Sequence, residues 1–165
     1  MTATSKPPVV VERSYEGTPQ DLWELWTTKD GFESWWGPEG FRVDVKKIEA
    51  RVGGKLVYDM VADAPETVAA MKEAGMPVSH GTSGTFAEYD PHKRLRVLYM
   101  IDFLPGVTPY ENNIVAEFIA KGASVTMRVS IDAHPDDEWT QRSLQGFTSQ
   151  LTKLPAALSA LRRKR

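Results

Sequence analysis

Near the C-terminal end of the chain, Leu144, Phe147, Leu151, Leu154, Leu158 and Leu161 recur at alternating spacings of three and four. That spacing draws one apolar stripe down one face of a helix. Such a face has to be covered, and whatever covers it decides the fold. Pro135 opens the segment, and Asp136, Asp137 and Glu138 fill a first turn where the helix dipole favours negative charge. Pro155 interrupts the stripe and predicts a kink or break one turn before the end, because it brings no amide hydrogen and its ring crowds the preceding turn. The closing run Arg162-Arg163-Lys164-Arg165 complements the negative end of the same dipole and reads as a solubilising terminus.

The rest of the chain offers mostly strands as the cover. Residues 9–15 are rich in β-branched side chains and read as a first strand. Thr18-Pro19-Gln20-Asp21 then carries an N-cap, a first-position proline and an acidic first turn, so a helix is predicted over 19–28, with a second short one over 29–36 stopped by Gly37-Pro38. Hairpins follow in series: 41–50 with 55–60 about Gly53-Gly54, 84–89 with 95–103 about Asp90-Pro91-His92-Lys93, and 114–120 with 124–133 about Lys121-Gly122. Hairpin after hairpin makes an antiparallel meander. A helical insertion at about 62–80, with its helix over 65–74, interrupts the series and reads as a flap. The predicted fold class is therefore α+β: one domain over 1–165, in which a curved antiparallel sheet of about seven strands surrounds a long C-terminal helix, with two short helices after strand one. A rod laid on a saddle touches it along one line, so space beside the helix is either filled by large side chains or left as a cavity.

Composition narrows the partners. Twenty basic against 22 acidic residues give a net charge of −2, which supplies no electrostatic footprint for nucleic acid. With no cysteine, disulfides, thiolate nucleophiles and cysteine-based zinc sites are excluded. No apolar run approaches the ~20 residues that span a bilayer, and residues 1–8 lack the apolar core of a signal peptide. The expectation is a cytoplasmic chain without membrane insertion.

Candidate walls for a cavity are Trp23, Trp26, Phe32, Trp35 and Trp36 from the early helices, Phe103 and Met127 from strands, and Phe147 and Leu151 from the last helix. Adjacent helical positions cannot both face inward, so one of Trp35 and Trp36 is predicted to line a mouth, a homodimer contact or a chaperone contact. His80, His92 and His134 have no metal-ligand spacing, so no metal and no cofactor are expected. His92 and His134 are expected to be solvated. His80 ends the insertion where it can look into a cavity mouth, and it is the first choice for a general base if the chain is an enzyme. Glu117 and Arg128 interrupt apolar runs in neighbouring strands. Inward parity makes them a polar anchor for a ligand, and outward parity a cross-strand pair. Tyr58, Tyr99 and Asp102 are weaker polar candidates.

Several pieces together give the chain a family likeness. These are Thr18-Pro19-Gln20-Asp21-Leu22-Trp23-Glu24-Leu25-Trp26, Trp35-Trp36-Gly37-Pro38, Val52-Gly53-Gly54-Lys55, Gly84 with Asp90-Pro91-His92-Lys93-Arg94-Leu95, and Gly146-Phe147. In that order, over roughly 9–160, they resemble the START-like (SRPBCC) superfamily, and within it homologues of the activator of the heat shock protein 90 ATPase. The resemblance implies a helix-grip fold enclosing a hydrophobic tunnel. Members of the wider superfamily bind lipids, sterols, polyketides or plant hormones, and some are cyclases or hydroxylase subunits. It implies no shared catalytic triad or metal site. Gly146-Phe147 stands where Gly-Trp is usual, and the insertion over 62–80 is longer than the common connection. Three functions follow as expectations: a carrier or sensor of a small hydrophobic molecule, an enzyme of cyclase, hydrolase or dehydratase type using His80, and a co-chaperone-like interaction module.

Overall fold

The structure is a computed structural model that describes residues 6–101 and 106–164. Its elements, in chain order, are β1 (Val9–Glu16), α1 (Pro19–Thr27), α2 (Lys29–Glu33), β2 (Phe41–Ile48), β3 (Lys55–Ala62), α3 (Pro65–Glu73), β4 (Ser79–Asp90), β5 (Arg94–Ile101), β6 (Tyr110–Lys121), β7 (Ser124–Ile131), α4 (Asp137–Leu151) and α5 (Leu154–Arg163). All seven strands form one antiparallel sheet in the order β1-β7-β6-β5-β4-β3-β2. Register shifts between Val45 and Lys47 and between Phe86 and Glu88 add local twist, which helps curl the sheet into a half-barrel. This is the helix-grip fold.

Alternation along the strands sorts the two faces. Leu56, Tyr58, Phe86, Leu95, Val97, Tyr99, Ala116, Phe118, Val125, Met127, Val129 and Ile131 point to the concave side and are buried. The convex side carries a charge ladder. Arg128 lies 4.0 Å from Glu12 and stands opposite Glu117, Glu117 is 3.3 Å from Arg94, and Glu88 receives Arg94 at 3.0 Å and Arg96 at 2.8 Å. Exposed pairs like these add little stability, but they keep the outer face solvated.

The first helix begins as its sequence demands. Thr18 Oγ1 accepts from the Asp21 amide and Asp21 Oδ2 accepts from the Thr18 amide, each at 3.1 Å, a reciprocal capping box that satisfies two otherwise unpaired donors. The C-terminal stripe is not one helix. It breaks at Thr152 and Lys153, and Pro155 occupies the opening turn of α5. Asp136 caps α4 by accepting from the Glu138 and Trp139 amides at 2.8 and 3.2 Å. β6 starts at Tyr110 and β4 at Ser79, each several residues before the expected position, so the insertion ends inside the sheet. The helix α3 has no buried residue.

Thr18→Ala is expected to lower the unfolding free energy by about 1 kcal/mol, and Thr18→Ser to be nearly neutral, as read from urea denaturation midpoints.

Candidate functional site

The interior centres on aromatic rings from α1, α2 and the turn after it. Trp26, Trp35 and Trp36 pack mutually edge-to-face with centroids 5.0–5.3 Å apart. Phe32 stacks on Trp36 at 4.6 Å, and Phe147 of α4 meets Trp35 and Trp36 at 6.5 and 6.1 Å. Trp35 is 0% exposed and Trp36 4%. The expectation that one of them lines a mouth or a partner surface is corrected. α2 ends at Glu33, so the two indoles leave a turn rather than consecutive helical positions and both reach the interior. Neither offers an exposed patch for a second copy or a chaperone.

Burial forces each indole to find an acceptor. Trp35 Nε1–H donates to the Leu25 carbonyl at 2.9 Å, and Trp26 Nε1–H to the Met127 sulfur at 3.3 Å. Trp36 Nε1–H donates to Tyr58 Oη at 3.1 Å, and Tyr58 Oη lies 3.3 Å from Tyr99 Oη. Burial holds both phenols above their ordinary pKa, so both remain protonated donors near neutrality. Tyr99 reaches across β4 because Gly84 lies beneath it: a Cβ there would stand 3.2 Å from the Tyr99 ring and 3.0 Å from Val97 Cγ1.

Two ties hold α4 over the concave face. At its C-terminal end, Gln150 Oε1 accepts from the Gly37 amide at 2.9 Å, beside the Trp36 ring, and Ser149 Oγ accepts from the Glu39 amide at 3.0 Å. Just before its N-terminus, His134 Nδ1 and the Tyr110 hydroxyl share a hydrogen bond of 2.5 Å, and the His134 ring packs edge-on to Tyr110 and Trp139. His134 is 4% exposed, so the expectation of a solvated histidine is corrected. Thr140 Oγ1 accepts from its amide at 2.8 Å and draws it under the first turn of the helix. Burial lowers the His134 pKa below the usual 6.5, against the opposing charge of Asp132, and burial raises that of Tyr110.

Between the two ties the helix and sheet do not cover each other. No residue of α4 before Phe147 is fully buried, and Trp139, Ser143, Leu144 and Gly146 are half-buried. Beneath them the inward strand positions Met60, Thr82, Ile101 and Tyr110 are half-buried as well. A Cβ built on Gly146 meets nothing within 4 Å. One turn further on, Gln150 is 3% exposed, and its Nε2 is the one buried side-chain nitrogen or oxygen without a hydrogen-bond partner among the described residues.

The structure thus brings Trp26, Phe32, Trp35, Trp36, Tyr58, Tyr99, Met127, Phe147 and Leu151 into one core. Trp23 belongs to the far end of that core, against Tyr89 and Phe118 at 4.8 and 5.9 Å. Glu117 and Arg128 stand on the convex face as a cross-strand pair, so the anchor they would form inside is corrected. His80 has inward parity with Thr82 and Gly84, but it sits beyond the covered part of β4 and is exposed, which takes from the enzyme reading the base assigned to it. Phe103 and Asp102 lie outside the described residues. Sequence reasoning missed Tyr110 and Gln150, placed His134 in solvent, and used Gly146 only as a piece of the family likeness. The signal for Gln150 was present: a polar residue at the buried spacing between Phe147 and Leu154. Among the described residues no cluster of histidine and carboxylate side chains is placed to hold a metal, and no helix is long and apolar enough to cross a membrane.

The family model for Activator of Hsp90 ATPase homolog 1-like protein matches residues 16–159. No curated protein matches the chain. Among solved structures, the AHSA1 protein from Silicibacter pomeroyi is similar at 21% identity and a TM-score of 0.72, over 93% of this chain and 98% of that one. A protein from Chromobacterium violaceum is similar at 18% identity and a TM-score of 0.70, over 92% and 96% of the two chains. One from Arthrobacter aurescens is similar at 15% identity and a TM-score of 0.73, over 93% and 86%. At these identities the likeness is one of fold.

Tyr58→Phe is expected to cost about 1–3 kcal/mol, because it leaves the Trp36 N–H buried without an acceptor. Tyr99→Phe should cost less, since Tyr58 still accepts from Trp36; chemical denaturation of the two variants checks the order. His134 also predicts a pH effect. A histidine whose folded pKa is depressed contributes stability that is fully present above its usual 6.5 and is lost as pH falls through the folded value. The urea midpoint should therefore fall on acidification below 6.5, and His134→Gln should flatten the profile there. Glu88, held low by its hydrogen bond to Arg94, and Glu49, held low by the Lys55 amide, titrate in a more acidic window.

Proposed function

This chain belongs to the family of Activator of Hsp90 ATPase homolog 1-like proteins, and from that premise we propose that it binds a small hydrophobic molecule between the sheet and the first half of α4, as a carrier or sensor. The fold is consistent with a ligand-binding or an interaction domain. The observation that favours ligand binding is the uncovered stretch of α4. The helix is fixed at both ends, by His134–Tyr110 and by Gln150–Gly37, while Trp139, Ser143, Leu144 and Gly146 between them and the strand positions beneath remain half-buried. Apolar surfaces held apart in this way suit a guest of modest size, gripped by Leu144, Phe147 and Ile101 and bounded by the indole cluster.

Gly146 supports the same reading. Glycine inside a helix costs about 0.5–1 kcal/mol relative to alanine, and here its missing side chain leaves space on the half-buried face. A guest that uses this space would account for tolerating the cost.

Gly146→Leu separates stability from binding. The variant should gain about 0.5–1 kcal/mol from helix propensity. It should also lose the thermal shift that uncharged apolar probes such as decane and naphthalene produce in the unmodified protein. Binding unchanged in the leucine variant would contradict the proposal.

A further inference from the structure

We infer that the molecule held under α4 carries a neutral carbonyl oxygen that accepts a hydrogen bond from Gln150 Nε2. This inference rests on the ligand-binding reading above and adds the chemical class of the ligand. Gln150 presents a fork. Its Oε1 is fixed by the Gly37 amide at 2.9 Å, so the carboxamide is not free to turn, and its Nε2 carries N–H groups that no atom of the described residues accepts. Helical side chains lean toward the N-terminus over the residue four positions back, which for Gln150 is Gly146. That lean carries the Gln150 side chain back along the face on which a Cβ at Gly146 would meet nothing within 4 Å.

A proton count at the neighbouring hydroxyls points the same way. Tyr58 Oη accepts from Trp36, and the single contact between Tyr58 and Tyr99 uses one of their two phenolic protons. The other has no acceptor among the hydrogen bonds of the described residues. Tyr58 Oη meets the Trp36 indole and Gln150 Oε1 the Gly37 amide, so the hydroxyl pair and the free amide are tied to adjacent residues of the turn after α2. An unpaired buried donor is costly, and an acceptor arriving with a ligand relieves that cost.

The acceptor is neutral because the basic side chains that could answer a charge there are, among the described residues, engaged elsewhere. Arg94, Arg96 and Arg128 belong to the convex ladder. Lys153, the nearest cation along the chain, donates to the Phe41 carbonyl at 2.9 Å, and its pKa is lowered by burial. A carboxylate here would be a buried charge without a partner. A ketone, ester or aldehyde oxygen on an apolar body fits the donors present.

The test titrates the intact protein, by tryptophan fluorescence, with methyl hexyl, methyl octyl and methyl decyl ketone, each against the alkane of equal chain length. The ketone of the best-fitting length should bind about fivefold to tenfold more tightly than its alkane, the factor one net hydrogen bond supplies. Its infrared carbonyl stretch should move to lower frequency on binding. Gln150→Leu should remove both the preference and the frequency shift. Equal affinity for ketone and alkane in the unmodified protein would overturn the carbonyl inference while leaving the apolar site standing. Failure of every ketone and every alkane to bind would overturn both.

Discussion

A straight helix and a curled sheet can touch along one line only, and this molecule is organised around where that line falls. The contact is made at the C-terminal half of the helical segment, where Phe147 and Leu151 of α4 and Leu154 and Leu158 of α5 are buried. The break at Thr152 and Lys153 lets α5 turn and follow the curve, packing against α1. The N-terminal half of α4 is held at its far end by the buried His134–Tyr110 pair instead. A helix anchored at both ends over a concave surface keeps a fixed separation from that surface in between.

The floor beneath it is stiff for a related reason. Three indoles, packed on one another and on Phe32, would be ordinary core if each were only apolar. Each also brings an N–H into the buried core, and each finds a different acceptor: a helix carbonyl, a methionine sulfur and a tyrosine hydroxyl. These bonds fix the ring orientations, and Tyr58 hands the last of them on to Tyr99 over the gap left by Gly84. The outer charge ladder keeps its ionic groups on the convex side, and the polar groups packed around the indoles, Tyr58, Tyr99 and Gln150, are uncharged.

Most of the fold was legible in the sequence because it depends on periodicity and punctuation. The leucine stripe, the Thr18–Asp21 cap, the glycine pairs at turns and Pro155 each act locally, and each appears where the spacing put it. The interior was less legible. Whether Trp35 and Trp36 diverge depends on the helix ending at Glu33, a one-turn difference that propensity does not resolve. The fates of Glu117 and Arg128 turn on strand parity, which register fixes and composition does not. His134 reads as a solvated residue, but the bonds that bury it come from Tyr110 and Thr140, the first of them distant in sequence. Gln150 was visible as a polar interruption of an apolar stripe, yet its free amide emerges only once Gly37 is seen to occupy the other arm of the fork.

On the proposed function, the space between the first half of α4 and the sheet is an apolar site rather than closed core. Diffraction from crystals held under xenon pressure tests it directly, because xenon enters apolar cavities and not close-packed or hydrated ones. Xenon density is expected beside Gly146 and Leu144, above Ile101. Crystals that take up no xenon in the interior, or that show a chain of ordered water along this stretch, would contradict it.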